Sequence, residues 1–455
     1  MPPAGNTSGS ALEGARANVT MAKLAWRNVV RNWRHSLATT LAIASGFMAV
    51  CLFDGFIEEL KDRNTDGYTT RGMLGQVIVQ KRDASKFSSE DQWKYSVDAK
   101  EQAFLEAFFA KDPAFLRRVR FLSISGLVSA GSNNPVFIGY GFDVAEGAAV
   151  RGERWAWNSV AGKPLHLVKG PAIELGQSLA HLLDCTSTYT GKPFILEDGN
   201  YVAEERPFTC KHPRVMLSAT TEASQVNAIE LPIVGFIDAG FREADKRAVH
   251  ISLADAQRLL DTDKLSMVSV QLKDPRETDA FVERINKAAA AAQIDLEITP
   301  WDEHALAAYV QGGMEILTVF RNLFMTIVVT IGVMSVANTM MKAVNERIRE
   351  IGTLRSLGFR RRHLVAMFSC EGLFLSAIAC VLGLVGTLFA SRVVGHLGLT
   401  YRAGILSVPI TLKVKDAPES WLVSAVVLTV LATGTAWFCA RKAARMVVAD
   451  AMRHV

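Results

Sequence analysis

The sequence predicts a membrane protein with four transmembrane α-helices and one large α+β domain inserted between helices 1 and 2. Three observations carry that expectation. Four apolar stretches have about the length a bilayer requires, basic residues crowd one side of each, and strand and helix signals alternate between the first stretch and the second. With 49% hydrophobic and 21% charged residues and a mean hydropathy of +0.18, the 455-residue chain is too apolar for an ordinary soluble protein and too charged for spans alone. Its net charge of +5 is small for this length and leaves no nucleic-acid footprint.

Residues 1–20, "MPPAGNTSGSALEGARANVT", are small and polar with no apolar core, so they read as a disordered tail rather than a cleavable signal, with Met21 an alternative start. Residues 21–35 form an amphipathic helix. Trp26, Val29, Val30 and Trp33 recur at helical spacing while Lys23, Arg27, Arg31 and Arg34 fill the other face. That pattern suits a helix lying in the membrane interface; packing on a soluble partner is the alternative.

The spans are expected at Ser36–Phe56, Leu317–Met341, Leu364–Ala390 and Trp421–Ala440. Asp54 sits near the end of the first. Lys23 to Arg34, Lys342 to Arg362 and Arg441 to Arg453 supply the basic flanks, so the positive-inside rule puts both termini and the 342–363 loop in the cytoplasm. Residues 57–315 and 391–420 then lie outside. Cys51, Cys370, Cys380 and Cys439 fall within spans, where a thiol behaves as a small apolar group. Cys185 and Cys210 lie outside; they are either a disulfide, worth roughly 3 kcal/mol by loop entropy, or two separate thiols.

Within 57–315, strands are expected at Leu74–Gln80, Val119–Ala130, Val136–Phe142, Leu231–Ile237, Ser266–Leu272 and Ile294–Thr299. Helices are expected over "DAKEQAFLEAFFAKD", "AIELGQSLAHLL", "SLADAQRLL" and "DAFVERINKAAAAA". The ends read as a split core, about 65–140 and 225–300, with 141–224 as an insertion.

Chemistry is not written into these residues. "TSTYTGKP" has Thr186 where a phosphate-binding loop needs glycine and Pro193 where it needs a hydroxyl. "GYGFDV" from Gly139 lacks the third glycine of a dinucleotide site, the nine histidines have no metal-ligand spacing, and "WDEHAL" from Trp301 reads as a helix start. No catalytic, cofactor-binding or metal site is expected in this chain.

The loop between the second and third spans is more informative. Ile348, Ile351, Leu354 and Leu357 recur at helical spacing and Gly358 follows as a stop, with Glu346, Arg347, Arg349, Glu350 and Arg355 on the flanks. So short a helix is unstable alone in water. A purely topological loop needs the arginines but not the apolar stripe, so the stripe points to a partner's groove.

"NERIREIGTLRSLGFRRRHLVAMFSCEGLFLSAIACVLGLVGTLFA" resembles the signature of the FtsX-like permease family, which includes MacB-type exporters and lipoprotein-releasing permeases. Glu346, Arg347, Glu350, Ile351, Gly352, Leu354, Arg355, Leu357, Gly358, Glu371, Gly383 and Gly386 fall on that pattern. Ile233–Leu260 resembles the lipoprotein-releasing branch. The resemblance implies the permease subunit of a type VII ABC transporter of an inner membrane, with a periplasmic MacB-like domain and a coupling helix in the 342–363 loop. It implies ATP and Mg bound by a separate ATPase dimer, a second permease copy or paralogue, a periplasmic adaptor or chaperone, and membrane lipids as partners. Lipoprotein release is the expected activity; efflux of a drug, peptide or glycolipid, and a mechanotransmission complex without cargo, are the rivals. Glu371 is expected to be structural or coupling rather than a proton relay, and Gly383 and Gly386 to permit close helix packing.

Overall fold

A computed structural model of the protein describes residues 23–31, 33–88, 90–189, 205–347, 352–353, 356, 359–402 and 407–443. The chain divides into a membrane unit, Met1–Leu60, Met314–Leu397 and Lys413–Val455, and a second unit, Lys61–Gly313 and Gly398–Leu412.

Among the described residues, four helices are long and apolar enough to cross a membrane. They are Trp33–Asp66, Ala308–Glu346, Arg361–Leu397 and Pro418–Ala443, and a shorter helix over residues 23–31 precedes them. The first runs past its apolar stretch to Asp66, because "IEELKDRNTD" contains no glycine or proline to stop it. Small residues set how the membrane unit packs. A Cβ on Gly383 would lie 2.7 Å from the carbonyl of Ala44, and one on Gly386 would lie 2.8 Å from Met48 Sδ, so both glycines of the third span face the first. Gly372 meets Ala436 of the fourth span in the same way. The second span is left at the outside, with Val319, Leu323, Ile327, Ile331 and Met334 exposed along its length.

The second unit is built on a ten-stranded sheet. Its strands are β1 (Val77–Lys81), β2 (Phe115–Ser129), β3 (Val136–Phe142), β4 (Ser159–Gly162), β5 (Ile173–Gly176), β8 (Arg214–Thr220), β9 (Val226–Ile237), β10 (Ala248–Ser252), β11 (Met267–Leu272) and β12 (Leu296–Pro300). Two short strands, β6 (Cys185–Ser187) and β7 (Phe208–Cys210), pair separately. Pairing runs β2 to β3, β10, β5, β9 and β8, and β8 returns to β2. The sheet thus closes on itself, and helix Leu253–Leu260, capped by Ser252, packs against β2, β3, β8, β9 and β10. Strands β11, β1 and β12 extend the sheet from β2; helix Thr278–Ala291 packs on β12, and Ala99–Phe109, started by an Asp98–Glu101 capping box, packs on Thr278–Ala291.

Two expectations are corrected. The division into core and insertion fails, because β4, β5 and β8 all belong to the main sheet, with β5 between β10 and β9. "AIELGQSLAHLL" is not one helix. Ile173–Gly176 is a fully buried strand and only Gln177–Leu182 is helical, since Gly176 ends the strand where the chain turns. The segment joining the third and fourth spans also has structure of its own: Thr400–Tyr401 pairs with Ile410–Thr411, and Ser407 hydrogen-bonds to Asp238 within the second unit. Residues 1–20 and Met21 lie outside the described residues.

Candidate functional site

The site begins where the second span ends. Arg347 follows Glu346, the last residue of its helix, and its Nη1 lies 3.1 Å from Glu371 Oε1 of the third span. Both residues are buried, at 7% and 3% exposure. A buried ion pair survives only with close geometry and further polar partners. Those come from the 23–31 helix, whose Asn28 hydrogen-bonds the same carboxylate and whose Arg31 adds a second favourable charge. Three segments therefore meet at one carboxylate. Ala25 and Val29 close the site from the apolar side, in one cluster with Leu364, Phe368, Ala436 and Ala440.

Arg347 thereby departs from expectation. Its position on the flank of a short amphipathic segment placed it on a docking surface, whereas the structure turns it inward because an unpaired Glu371 in the span would be costly. Glu346 does stand on the outer surface, 3.9 Å from Lys342. Glu350, Ile351, Leu354, Arg355, Leu357 and Gly358 lie outside the described residues. The 23–31 helix presents Trp26 and Arg27 outward, and Trp26 packs edge-on against Phe374 at 5.5 Å. Val29 is buried, so the inward face is Ala25, Asn28 and Val29 rather than the tryptophan stripe. Trp33 and Arg34 are helical, and their side chains lie outside the described residues.

Residues 322–448 match the model of the FtsX-like permease C-terminal domain. That part of the chain is an FtsX-like permease domain. Over 177 residues the chain is 24% identical to the uncharacterized ABC transporter permease MJ1507 of Methanocaldococcus jannaschii, covering 39% of this chain and 44% of the relative. Over 182 residues it is 29% identical to the macrolide export ATP-binding/permease protein MacB of Brucella abortus, covering 38% and 28%. The chain thus spans less than half the length of the curated relatives it matches. Among solved structures, the periplasmic region of MacB from Actinobacillus actinomycetemcomitans aligns with 54% of this chain and 95% of its own, at 10% identity and a TM-score of 0.32.

The matched residues 322–448 contain Arg347, Glu371, Gly383 and Gly386, while both members of a second ion pair stand outside them, Arg321 by a single residue. Arg321 Nε lies 2.8 Å from Asp54 Oδ1, joining the second span to the first. The signal for it was present, because each of two apolar stretches held one charge, of opposite sign.

The extramembrane unit carries a further polar cluster that residue patterns did not reveal. His250 of β10 stands opposite Glu174 of β5, and Ser159 donates to Glu174 at 2.8 Å. Burial pushes the Glu174 carboxyl up to about 7, against the pull of Arg151 and Ser159, and pushes His250 down to about 3. Arg151 falls to about 10 for the same reason, with its Nε donating to the Arg71 carbonyl at 3.0 Å. Cys185 and Cys210 are disulfide-bonded and face each other across β6 and β7.

Proposed function

We propose that this chain is the permease subunit of an ATP-driven ABC transporter, worked by a separate ATPase and seated in an inner membrane with its α+β domain in the periplasm. The observation that carries the reading is the FtsX-like permease domain over residues 322–448, together with the large domain between the first two spans. The 342–363 loop is the coupling element. Its apolar stripe, Ile348, Ile351, Leu354 and Leu357, docks on the ATPase, while Arg347 locks the loop's beginning to the third span through Glu371. ATP and Mg belong to the ATPase, and a second permease copy or paralogue completes the path.

The proposed cargo is a lipoprotein released toward the outer membrane, supported by the pattern of Ile233–Leu260. A second reading, efflux of a drug, peptide or glycolipid through a periplasmic adaptor, is favoured by the macrolide export relative named above. Replacing Leu354 with proline tests the coupling: the variant should insert normally yet lose its ATPase on co-purification, and retained ATPase would refute the docking. Depletion separates the cargoes. Lipoproteins accumulating in the inner membrane support release; unchanged lipoproteins with raised drug sensitivity support efflux.

A further inference from the structure

At the loop end of the membrane unit the exposed charges among the described residues are mostly basic, Glu346 being the acidic exception. Lys23 and Arg27 on the short helix, Arg360, Arg361 and Arg362 ahead of the third span, and Arg441 closing the fourth are all exposed. The described carboxylates at that end are already taken, Glu346 by Lys342 and Glu371 by Arg347. The cationic segments are neighbours. Ala25 and Val29 share one buried cluster with Leu364, Met367 and Ala440, and Asn28 Nδ2 lies 4.0 Å from Met367 Sδ.

Apolar groups are interleaved with this charge. Leu24, Trp26 and Val30 are exposed on the short helix, Trp26 resting on Phe374, and the Arg441 guanidinium lies 5.1 Å from the ring centre of Trp437. A surface made for an aqueous protein partner does not need exposed indoles level with span residues, whereas a headgroup layer accommodates cation and indole side by side. We propose that this end of the membrane unit is a binding site for anionic phospholipid. Arg360, Arg361 and Arg362, with Lys23 and Arg27, engage the phosphate, and Trp26 on Phe374 supports the glycerol and upper acyl region. Obedience to the positive-inside rule would put the same charges here without selecting any lipid; selection is what distinguishes the two.

The test uses full-length protein in nanodiscs of equal phosphatidylglycerol and phosphatidylcholine, with retained lipid identified by native mass spectrometry. Phosphatidylglycerol should be enriched several-fold over the disc composition, and raising salt should erode the enrichment. The triple variant R360Q/R361Q/R362Q should bring it down at least about tenfold in relative affinity. Retained lipid that mirrors the disc in the unaltered protein overturns the proposal without reliance on any variant. So does a triple variant that keeps its phosphatidylglycerol but loses a partner ATPase, which would assign the surface to protein.

Discussion

Arg347 and Glu371 form a buried ion pair, 3.1 Å between Nη1 and Oε1, that ties the end of the second span to the body of the third. Removing one member leaves the other charged and desolvated. Glu371→Gln should therefore destabilise the membrane unit by about 3 kcal/mol, read as a lowered unfolding temperature of the full-length protein in detergent. Replacing both, as Arg347→Met with Glu371→Leu, should recover most of that loss, because an apolar pair has no desolvation penalty to offset. A single variant as stable as the parent would show that the pair contributes nothing.

Asp54 and Arg321 do the same work at a different level. The Asp54 side chain is only 3% exposed, and the second span otherwise meets the first through Thr39–Thr339, Gly46–Val328 and the Phe53–Phe324 rings. Because the outer face of the second span has no packed neighbour among the described residues, loss of this anchor should loosen it more than it loosens the first. Asp54→Asn should raise amide hydrogen exchange across residues 317–325, and Asp54→Leu with Arg321→Leu should return it toward the parent value. Exchange unchanged in the single variant would remove the pair from any role in holding the span.

Glu174 and His250 oppose one another in their response to pH. Glu174 titrates near 7 in the folded chain against an ordinary 4.5, so folding holds its proton and stability falls as pH rises from about 4.5 to 7. His250 titrates near 3 against an ordinary 6.5, so the unfolded chain binds its proton first and stability rises as pH climbs from about 3 to 6.5. The two nearly cancel between 4.5 and 6.5. Glu174→Gln removes one side of the balance, so the stability of the parent relative to this variant should fall with rising pH by up to about 1.4 kcal/mol per unit inside the Glu174 window and stay flat above it. A difference independent of pH would mean that Glu174 ionises normally.

How far the fold was legible depends on how local its causes are. The span helices and β3 over Val136–Phe142 follow from runs of apolar or alternating residues, and those appear in the structure where the residues place them. The strand Ile173–Gly176 did not, because four buried residues ahead of a short helix carry no period of their own and the strand exists only by pairing with β9 and β10. Closure of the sheet through β8 is likewise a long-range pairing. The candidate site divides in the same way. Arg347 was singled out for its place in a motif, yet its partner lies 24 residues further on in another helix, and that separation hides the pairing from any reading of spacing.

Cys185 and Cys210 permit a test of the extramembrane unit that does not depend on transport. They pair directly across β6 and β7, strands of three residues each, which is too short for a two-stranded sheet to persist unaided. Cys185 packs into the main core while Cys210 is only partly buried against it, so the bond ties β7 to the better-anchored β6. With a sequence separation of 25 between the two cysteines, loop entropy assigns the bond roughly 3 kcal/mol. Cys185→Ser with Cys210→Ser should therefore make β6 and β7 themselves protease-sensitive while the ten-stranded sheet, which draws no pairing from β6 or β7, stays folded. In the unreduced native protein, neither sulfur should react with a thiol reagent after denaturation. Labelling of both would show that the bond does not form in the cell, and the small sheet would then need another explanation.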